Sequence, residues 1–217
     1  MDAECLFDYY ISFLMFVKKK MPVYSFKEFI PVVDPSSFIH SSAVIVGNVI
    51  IGKNVYIGPN AVLRGDWGLI QIDDGCNVQE NCVIHMFPGT TVHLEENAHV
   101  GHGAIIHGAT LGRNCLIGMN SVIMDDTKIG ENTIVGALSL VQANQEIPAN
   151  SLAVGNPAKV VKELSEEQIN WKTKGTEYYQ KLPSDCKNHL KECEPLHAIE
   201  QNRPIQVSDY QTWKKHK

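Results

Sequence analysis

The feature that most constrains the fold is an aliphatic side chain recurring every six residues. A period of six matches neither an amphipathic helix nor an alternating strand. The aliphatic positions are Ile39, Ile45, Ile51, Ile57 and Leu63, then Ile72, Val78 and Ile84, then Leu94, Val100 and Ile106, then Leu111, Ile117, Ile123, Ile129, Val135 and Val141. A small or compact residue tends to follow four positions later, as in Ala43, Ala61, Cys82, Ala104 and Ser121.

This period predicts a triangular coil in which each hexad makes one short strand and one corner. The aliphatic residue points inward, and a glycine directly after it, as at Gly52 or Gly118, is expected to give the backbone freedom to turn. Each coil buries its inner face only by stacking on its neighbours. The sequence therefore predicts a single-stranded parallel β-helix over residues 21–160.

The repeat is interrupted three times. Three residues are added between Leu63 and Ile72, four are added between Ile84 and Leu94, and one is missing between Ile106 and Leu111. Insertions in a solenoid usually emerge as loops and often mark the working face. The first two interruptions flank the densest polar cluster of the chain, so we expect loops and a functional site there.

The remaining segments are assigned by local signals. Residues 1–20 are expected to be an extension without a structural role, and residues 161–195 a helical segment. Ser165 to Gln168 reads as a capping box that opens a helix, which Pro183 is expected to interrupt after Leu182, with a second short helix after Ser184. The tail, residues 196–217, carries few core signals, so we expect it to fray.

The charge and the cysteine spacing argue against several classes of function. The net charge is −5, and the only concentrated basic run is Lys18 to Lys20, which argues against nucleic-acid binding. None of the six cysteines has CxxC spacing, so we expect reduced thiols in a cytoplasmic protein. The apolar run from Cys5 to Val17 is too short to span a bilayer, although a segment that touches a membrane stays an alternative.

Two histidines share one register. His85 and His107 each follow an inward isoleucine, so both should point outward from adjacent coils, about 4.8 Å apart at the backbone. Two imidazoles at that spacing can share a tetrahedral metal. The alternative for an outward histidine is a solvated surface residue. The other histidines, with the exception of His102, lack this register.

His102 lies near a corner on the preceding face. Five extended residues, roughly 16 Å, separate it from His107, so one chain cannot easily fold it back onto the pair. The third ligand would then come from another subunit, and a ring of three subunits would create identical sites at each interface.

A polar cluster surrounds this register. Arg64 and Asp66 could pair across an interface, or could belong to a solvated loop. Asn77 and Gln79 precede His85 by about one hexad, and Gln79 follows an inward valine. Gln79 should therefore point outward, where its amide could hold a metal-bound hydroxide or cap a corner.

These residues resemble the γ-class carbonic anhydrase family of hexapeptide-repeat proteins. Within that family they are most similar to the branch that contains phenylacetic acid degradation proteins and carnitine operon proteins. The matching features are Arg64-Gly65-Asp66, Asn77-Val78-Gln79, His85, His102 with His107, Gly118-Met119-Asn120-Ser121 and Trp171-Lys172. The resemblance covers roughly residues 21–196. It implies a left-handed coil, a homotrimer and Zn²⁺, or another divalent metal such as Fe²⁺ or Co²⁺.

The resemblance also implies roles for individual residues. His85 and His107 would ligate the metal from one subunit and His102 from its neighbour, while Gln79 would orient the metal hydroxide. Arg64 and Asp66 would form an inter-subunit pair. In contrast to the archetypal carbonic anhydrase, Trp67 follows Asp66 and Met86-Phe87-Pro88 follows His85, and neither stretch contains a further acid. Rapid CO₂ hydration is therefore not expected. These apolar residues would instead form a mouth suited to an acyl chain or aromatic ring.

The expected function is hydrolysis of a CoA thioester by a metal-bound hydroxide, in phenylacetate or carnitine-related metabolism. Three alternatives stay open: a carbonic anhydrase acting on CO₂ and bicarbonate, a CoA-dependent acyltransferase with a histidine as general base, and a non-catalytic trimeric accessory protein.

Overall fold

In a computed structural model of the protein, which describes residues 22–213, the chain forms a left-handed parallel β-helix of about 7 turns followed by one C-terminal helix. The predicted fold class is therefore confirmed. The predicted extension, residues 1–20, lies outside the described residues.

The β-helix has three faces, each a ladder of strands stacked one coil apart. The histidine face, which carries His85 and His107, consists of β1 (Val23–Tyr24), β8 (Val83–His85), β11 (Ile105–His107), β14 (Val122–Ile123) and β17 (Leu140–Val141). The polar face consists of β2 (Val32–Val33), β9 (Thr91–Leu94), β12 (Thr110–Leu111), β15 (Lys128–Ile129) and β18 (Glu146–Ile147). Two longer strands, β4 (Val44–Ile51) and β6 (Val62–Ile72), bend round the corner and belong to both faces.

The third face, which we call the helix face, forms a separate sheet. It consists of β3 (Phe38–Ile39), β5 (Tyr56–Ile57), β7 (Asn77–Val78), β10 (His99–Val100), β13 (Leu116–Ile117), β16 (Ile134–Val135) and β19 (Ser151–Gly155). A final strand, β20 (Ala158–Glu163), pairs antiparallel with β19 and closes the coil. The strands of the β-helix thus extend slightly past residue 160.

The strand register follows the length of each coil. Where the repeat is unbroken, Val122 pairs with Leu140, which lies three hexads further along the chain. Across the second interruption Val83 pairs with Ile105, because that coil is longer by the inserted residues. Only this interruption emerges as a loop, between β8 and β9. The loop expected at the first interruption is wrong, because its residues stay hydrogen-bonded within the 11-residue strand β6.

The inward residues make one continuous core. All the aliphatic positions of the repeat are buried, and the small residues four positions later pack beside them, as predicted. Where that small residue carries a hydroxyl, it bonds the neighbouring coil, as Ser121 Oγ does in donating to the Gly136 carbonyl oxygen at 2.9 Å. This bond lets a polar group lie in the core without an unsatisfied donor.

The turning residues differ from those expected. The glycines directly after the aliphatic positions do not adopt positive φ; at Gly118 a Cβ would lie 2.4 Å from the Ala137 backbone nitrogen of the next coil. Those glycines are needed for close stacking. The turn itself is made three residues after the aliphatic position, usually by asparagine, as at Asn114 with φ 53°. Asparagine tolerates this left-handed conformation better than most residues.

The C-terminal helix α1 spans Glu166–His189. Its capping box is confirmed, since Ser165 accepts from the backbone of Gln168 and the Gln168 side chain accepts from the backbone of Ser165. The predicted break at Pro183, and the second helix after Ser184, are wrong. Pro183 is buried within α1, so its packing offsets the hydrogen bond that proline removes.

Helix α1 packs on β3, β5 and β7 of the helix face. The tail after α1 is irregular, but it does not fray throughout, contrary to expectation. Trp171 Nε1 donates to the Gln211 carbonyl oxygen at 2.8 Å, and Lys174 pairs with Asp209 at 2.9 Å. No helix within residues 22–213 is long and apolar enough to cross a bilayer.

Candidate metal centre

The centre of the candidate site is the pair of imidazoles on the histidine face. His85 ends β8 and His107 ends β11, and the two residues are direct partners in the parallel register. Their predicted stacking in adjacent coils is therefore confirmed. His85 Nδ1 lies 3.3 Å from His107 Nε2, so each ring points one nitrogen at the other.

Each ring holds a carboxylate with its other nitrogen. Asp66 Oδ1 lies 3.1 Å from His85 Nε2, and Asp125 Oδ1 lies 2.6 Å from His107 Nδ1. Histidines that ligate metals usually donate their second ring N–H to such a partner, which fixes the tautomer and the ring orientation. The arrangement leaves the facing nitrogens, His85 Nδ1 and His107 Nε2, as the lone-pair donors.

This donor set fits a tetrahedral metal of the zinc type. Two nitrogens bound to one zinc ion at about 2.0–2.1 Å lie roughly 3.3 Å apart, which is the separation of His85 Nδ1 and His107 Nε2. Within residues 22–213 there is no cluster of three or more His, Cys, Asp or Glu side chains that could hold a metal.

Asp66 holds the second ring nitrogen of His85, and Arg64 in turn holds Asp66. Arg64 Nη1 donates to Asp66 Oδ2 at 2.7 Å, so this pair forms within one chain; the predicted inter-subunit pairing stays a prediction. Burial alone would raise the pKa of Asp66, but the hydrogen bonds from Arg64 and His85 outweigh it and lower that pKa. Burial, together with the Arg64 charge, lowers the pKa of His85 and favours the neutral ring that a metal requires.

His102 lies away from this pair, at the corner between the helix face and the histidine face. Its Nδ1 lies 2.5 Å from Glu80 Oε2 of the preceding coil, so it too has a carboxylate on one nitrogen and a free lone pair on Nε2. The side chain is 47% exposed. His102 is therefore accessible from outside its own chain, and its predicted role as a metal ligand stays a prediction.

Gln79 and Asn77 belong to the helix face, under α1, and both are buried. Gln79 Nε2 donates to Asn77 Oδ1 at 3.0 Å and lies 2.6 Å from His99 Nε2. Burial lowers the pKa of His99 to about 3, so the ring is neutral, accepts at Nε2 and donates from Nδ1 to Thr176 Oγ1 at 3.3 Å. Both hydrogens of the Gln79 amide are thereby used, which leaves Oε1 as its available acceptor.

Aromatic rings flank the imidazoles on the outside. The rings of Trp67 and His85 lie 4.9 Å apart, and Phe87 meets His107 edge-on at 5.5 Å; both flanking residues are exposed. The predicted apolar mouth thus contains Trp67 and Phe87. Met86 is not part of it, because its side chain turns inward and is fully buried.

Three hydrogen-bonding contacts of these residues were not predicted: those made by Asp125, Glu80 and His99. Asp125 lies one unbroken coil after His107, and Glu80 lies one coil before His102, across the second interruption. Counting the length of each coil could have found both. His99 was set aside for lack of register, although it pairs directly with Asn77 on the helix face.

The histidine face also carries an outward column of aliphatic side chains beside the imidazoles. Its members are in register from coil to coil: Val44, Val62, Val83, Ile105, Val122 and Leu140. The corresponding column of the polar face begins with Val32 and Ile50 but is hydrophilic from Gln71 onward, and it includes Lys128, which pairs with Glu146 at 2.8 Å. The histidine face is thus the less suited of the two to permanent contact with water.

Known proteins resemble the chain over most of its length. Residues 31–65 and 108–143 match the family described as bacterial transferase hexapeptide (six repeats). The carnitine operon protein CaiE of Salmonella newport (strain SL254) is 47% identical over 184 residues, 85% of this chain and 93% of that protein. CaiE of Salmonella agona (strain SL483) gives the same figures.

Two crystal structures share the fold at substantial identity. A hexapeptide transferase family protein from Anaplasma phagocytophilum is 33% identical with a TM-score of 0.73, over 78% of this chain and 99% of that one. The product of the BC4754 gene of Bacillus cereus, described as a candidate acetyltransferase, is 37% identical with a TM-score of 0.75, over 76% of this chain and 96% of that one.

Proposed function

The chain belongs to the hexapeptide-repeat family that includes the carnitine operon protein CaiE, and from that premise we propose that it is a metal-dependent hydrolase of CoA thioesters. The active unit in this proposal is a homotrimer with one zinc-type ion at each subunit interface. The names of the relatives do not state this chemistry, so the proposal rests on the geometry of the histidines.

One observation carries the proposal. His85 Nδ1 and His107 Nε2 face each other at 3.3 Å, while Asp66 and Asp125 occupy the opposite nitrogens. Two neutral imidazoles with facing lone pairs repel each other unless a cation or a proton lies between them. Because two carboxylates orient both rings towards that contact, a metal ion is the favoured ligand between the facing nitrogens.

The trimer follows from the incomplete ligand set and from the aliphatic column. His102 lies at the edge where the helix face meets the histidine face, and its side chain is partly exposed there. A threefold ring can bring that edge of one protomer against the histidine face of the next and bury the exposed Val83 and Ile105. The same contact would supply the third imidazole.

In this proposal, separate residues of the chain would orient the water and hold the acyl group. When bound, a divalent ion of this type lowers the pKa of water and supplies a nucleophile at neutral pH. Gln79, from the subunit that provides His102, would accept a hydrogen bond at Oε1 and orient the attacking water. Trp67 and Phe87 would hold the acyl group of the thioester and exclude bulk water. Addition of water to the carbonyl carbon and cleavage of the C–S bond would yield a carboxylic acid and the CoA thiol.

A CoA-dependent acyltransferase is the second candidate. It is favoured by the transferase family that the chain matches and by the 37% identity to a candidate acetyltransferase. In that reaction an acceptor amine or alcohol would replace water as the nucleophile, and one of the histidines would take its proton. A cytoplasmic location stays the prediction made from the cysteines.

The decisive experiment combines metal content, assembly and thioester cleavage. Purified protein should contain one metal per subunit and elute as a trimer, and it should hydrolyse members of a panel of aryl- and alkyl-acyl-CoA thioesters without an acceptor. His102→Ala should lose the metal and reduce cleavage at least 100-fold, because a two-histidine site holds zinc weakly. His93→Ala, on the polar face, is the matched control and should change neither.

Other outcomes separate the alternatives. Cleavage that requires an added amine would favour the acyltransferase, and rapid CO₂ hydration in stopped flow would favour a carbonic anhydrase. Full metal content with no activity on any of these substrates would favour an accessory protein. Metal retained by a monomer, or by His102→Ala, would contradict the shared site itself.

A further inference from the structure

A second candidate binding site lies between helix α1, the helix face and the returning tail. It is a groove with a volume of about 460 Å³. Its walls are mainly apolar: Leu116 and Ile134 come from the helix face, and Tyr178, Tyr179 and Tyr210 come from α1 and the tail. A groove of this size and lining suits a small organic molecule.

One cation lies in the wall of this groove. Lys172 is 2% exposed, and its Nζ bonds Asn114 Oδ1 at 2.6 Å. Among residues 22–213 no carboxylate lies within ion-pair distance of this ammonium group. Buried charges are normally paired, because an isolated ion loses most of its hydration on burial. Lys172, which lines the groove, therefore carries a charge that residues 22–213 do not neutralise.

Asn114 holds the ammonium group in a fixed place. Its side-chain nitrogen donates to Asn132 Oδ1 at 2.8 Å and to Thr173 Oγ1 at 2.9 Å, which fixes the direction of its oxygen. An ammonium group has three hydrogens, and Asn114 accepts only one of them. Burial lowers the pKa of Lys172 to about 8, so the group is still mostly charged at pH 7.

We propose that this groove binds an organic carboxylate with an apolar body, either an aryl or a short alkyl carboxylate, with its anionic end on Lys172 Nζ. The apolar body would lie along Leu116 and Ile134, against the tyrosine rings. A single ammonium group matches one negative charge, and His99, the neighbouring titratable group, is neutral and already committed to Gln79 and Thr176. This favours a monoanion over a phosphate ester.

The inference does not depend on metal binding, although Gln79 and His102 are among the residues that line the same groove. A carboxylate that bound the metal instead would be indifferent to Lys172. The two proposals can therefore fail separately.

Titration calorimetry with sodium benzoate tests the proposal on the full-length protein. Benzoate should bind the wild type, whereas benzamide, which has the same shape without the charge, should bind at least tenfold more weakly, as should inorganic phosphate. Lys172→Met should weaken benzoate binding at least tenfold. Lys128→Met removes an equal charge from the polar face and should leave the affinity unchanged. Equal binding of benzoate to Lys172→Met, equal binding of benzamide, or no binding to the wild type would overturn the proposal.

A second measurement uses the unaltered protein and so does not depend on how the variant folds. With ¹³Cε-labelled lysine, the resonance of Lys172 should shift on addition of benzoate and stay in place on addition of benzamide. A resonance that does not respond to benzoate would place the ligand elsewhere and contradict the assignment.

Discussion

The histidine face and the helix face are built from the same coils, yet they are completed in different ways. On the helix face the outward residues Tyr56, Asn77 and His99 are buried, because α1 covers them. On the histidine face the outward Val83 and Ile105 are 39% and 41% exposed. A β-helix coil thus leaves both faces in need of cover, and residues 22–213 supply cover for only one.

The polar groups on the two faces differ in the same way. Gln79 and His99 find their partners within the chain, through Asn77 and Thr176. On the histidine face, His85 and His107 are oriented by carboxylates but point their remaining nitrogens at each other. Helix α1 thus covers much of the helix face, although Asn77 Nδ2 has no partner among the described residues, whereas the histidine face is the one on which we propose the subunit interface.

The largest expected effect comes from placing a charge on the uncovered face. Ile105→Asp should convert the proposed trimer to a 24.2 kDa monomer, because an unpaired carboxylate buried at each interface costs about 2 kcal/mol or more. Light scattering at micromolar concentration measures this change, and metal content should fall with it. Thr110→Asp adds the same charge to an outward position of the polar face and should stay trimeric. A trimeric Ile105→Asp would show that this face is free in the assembly.

The covered face should respond to acid through His99. Its pKa is about 3 in the folded state and ordinarily 6.5, so above pH 6.5 both folded and unfolded states are neutral at this position. Below that pH only the unfolded state takes up the proton, and stability falls as pH falls. Between pH 6.5 and 5 the loss is about 2 kcal/mol.

His99→Gln removes this proton linkage while keeping an amide that can bond Gln79. In urea unfolding, the wild type should lose about 2 kcal/mol more than His99→Gln between pH 7 and pH 5. Parallel pH profiles for wild type and His99→Gln would mean that α1 does not seal the helix face.

The sequence alone predicted the coil, its core and the stacking of His85 on His107, because an inward aliphatic every sixth residue dictates them locally. Counting along the coils could also have found Asp125. The sequence did not reveal which residues turn the corners, because glycine and asparagine recur with the same period. The burial of Lys172 and the passage of α1 through Pro183 depend on packing between distant segments, which no local pattern encodes.

The smallest expected effect concerns the corner that joins the two faces. The residues of this corner with positive φ are Asn60, Asn81, Gly103, Asn120 and Leu138. Leu138 is the one member of this set that is neither asparagine nor glycine. It has φ 61°, a strained conformation for leucine, and it is 73% exposed. Strain of this kind costs roughly 1–2 kcal/mol, which a purely local role for Leu138 does not explain.

Leu138→Asn separates two accounts of that leucine. If the corner belongs to solvent, the variant should gain about 1 kcal/mol, seen as a rise in melting temperature of roughly 2–4 °C with the trimer intact. Asn120→Leu, one coil away, should lose a similar amount. If instead Leu138→Asn weakens the trimer, the leucine is retained for contact with a neighbouring subunit, and the uncovered surface extends from the histidine face round the corner towards the groove. A gain in stability with the trimer intact would therefore place this corner in solvent, and a weaker trimer would place it in the contact between subunits.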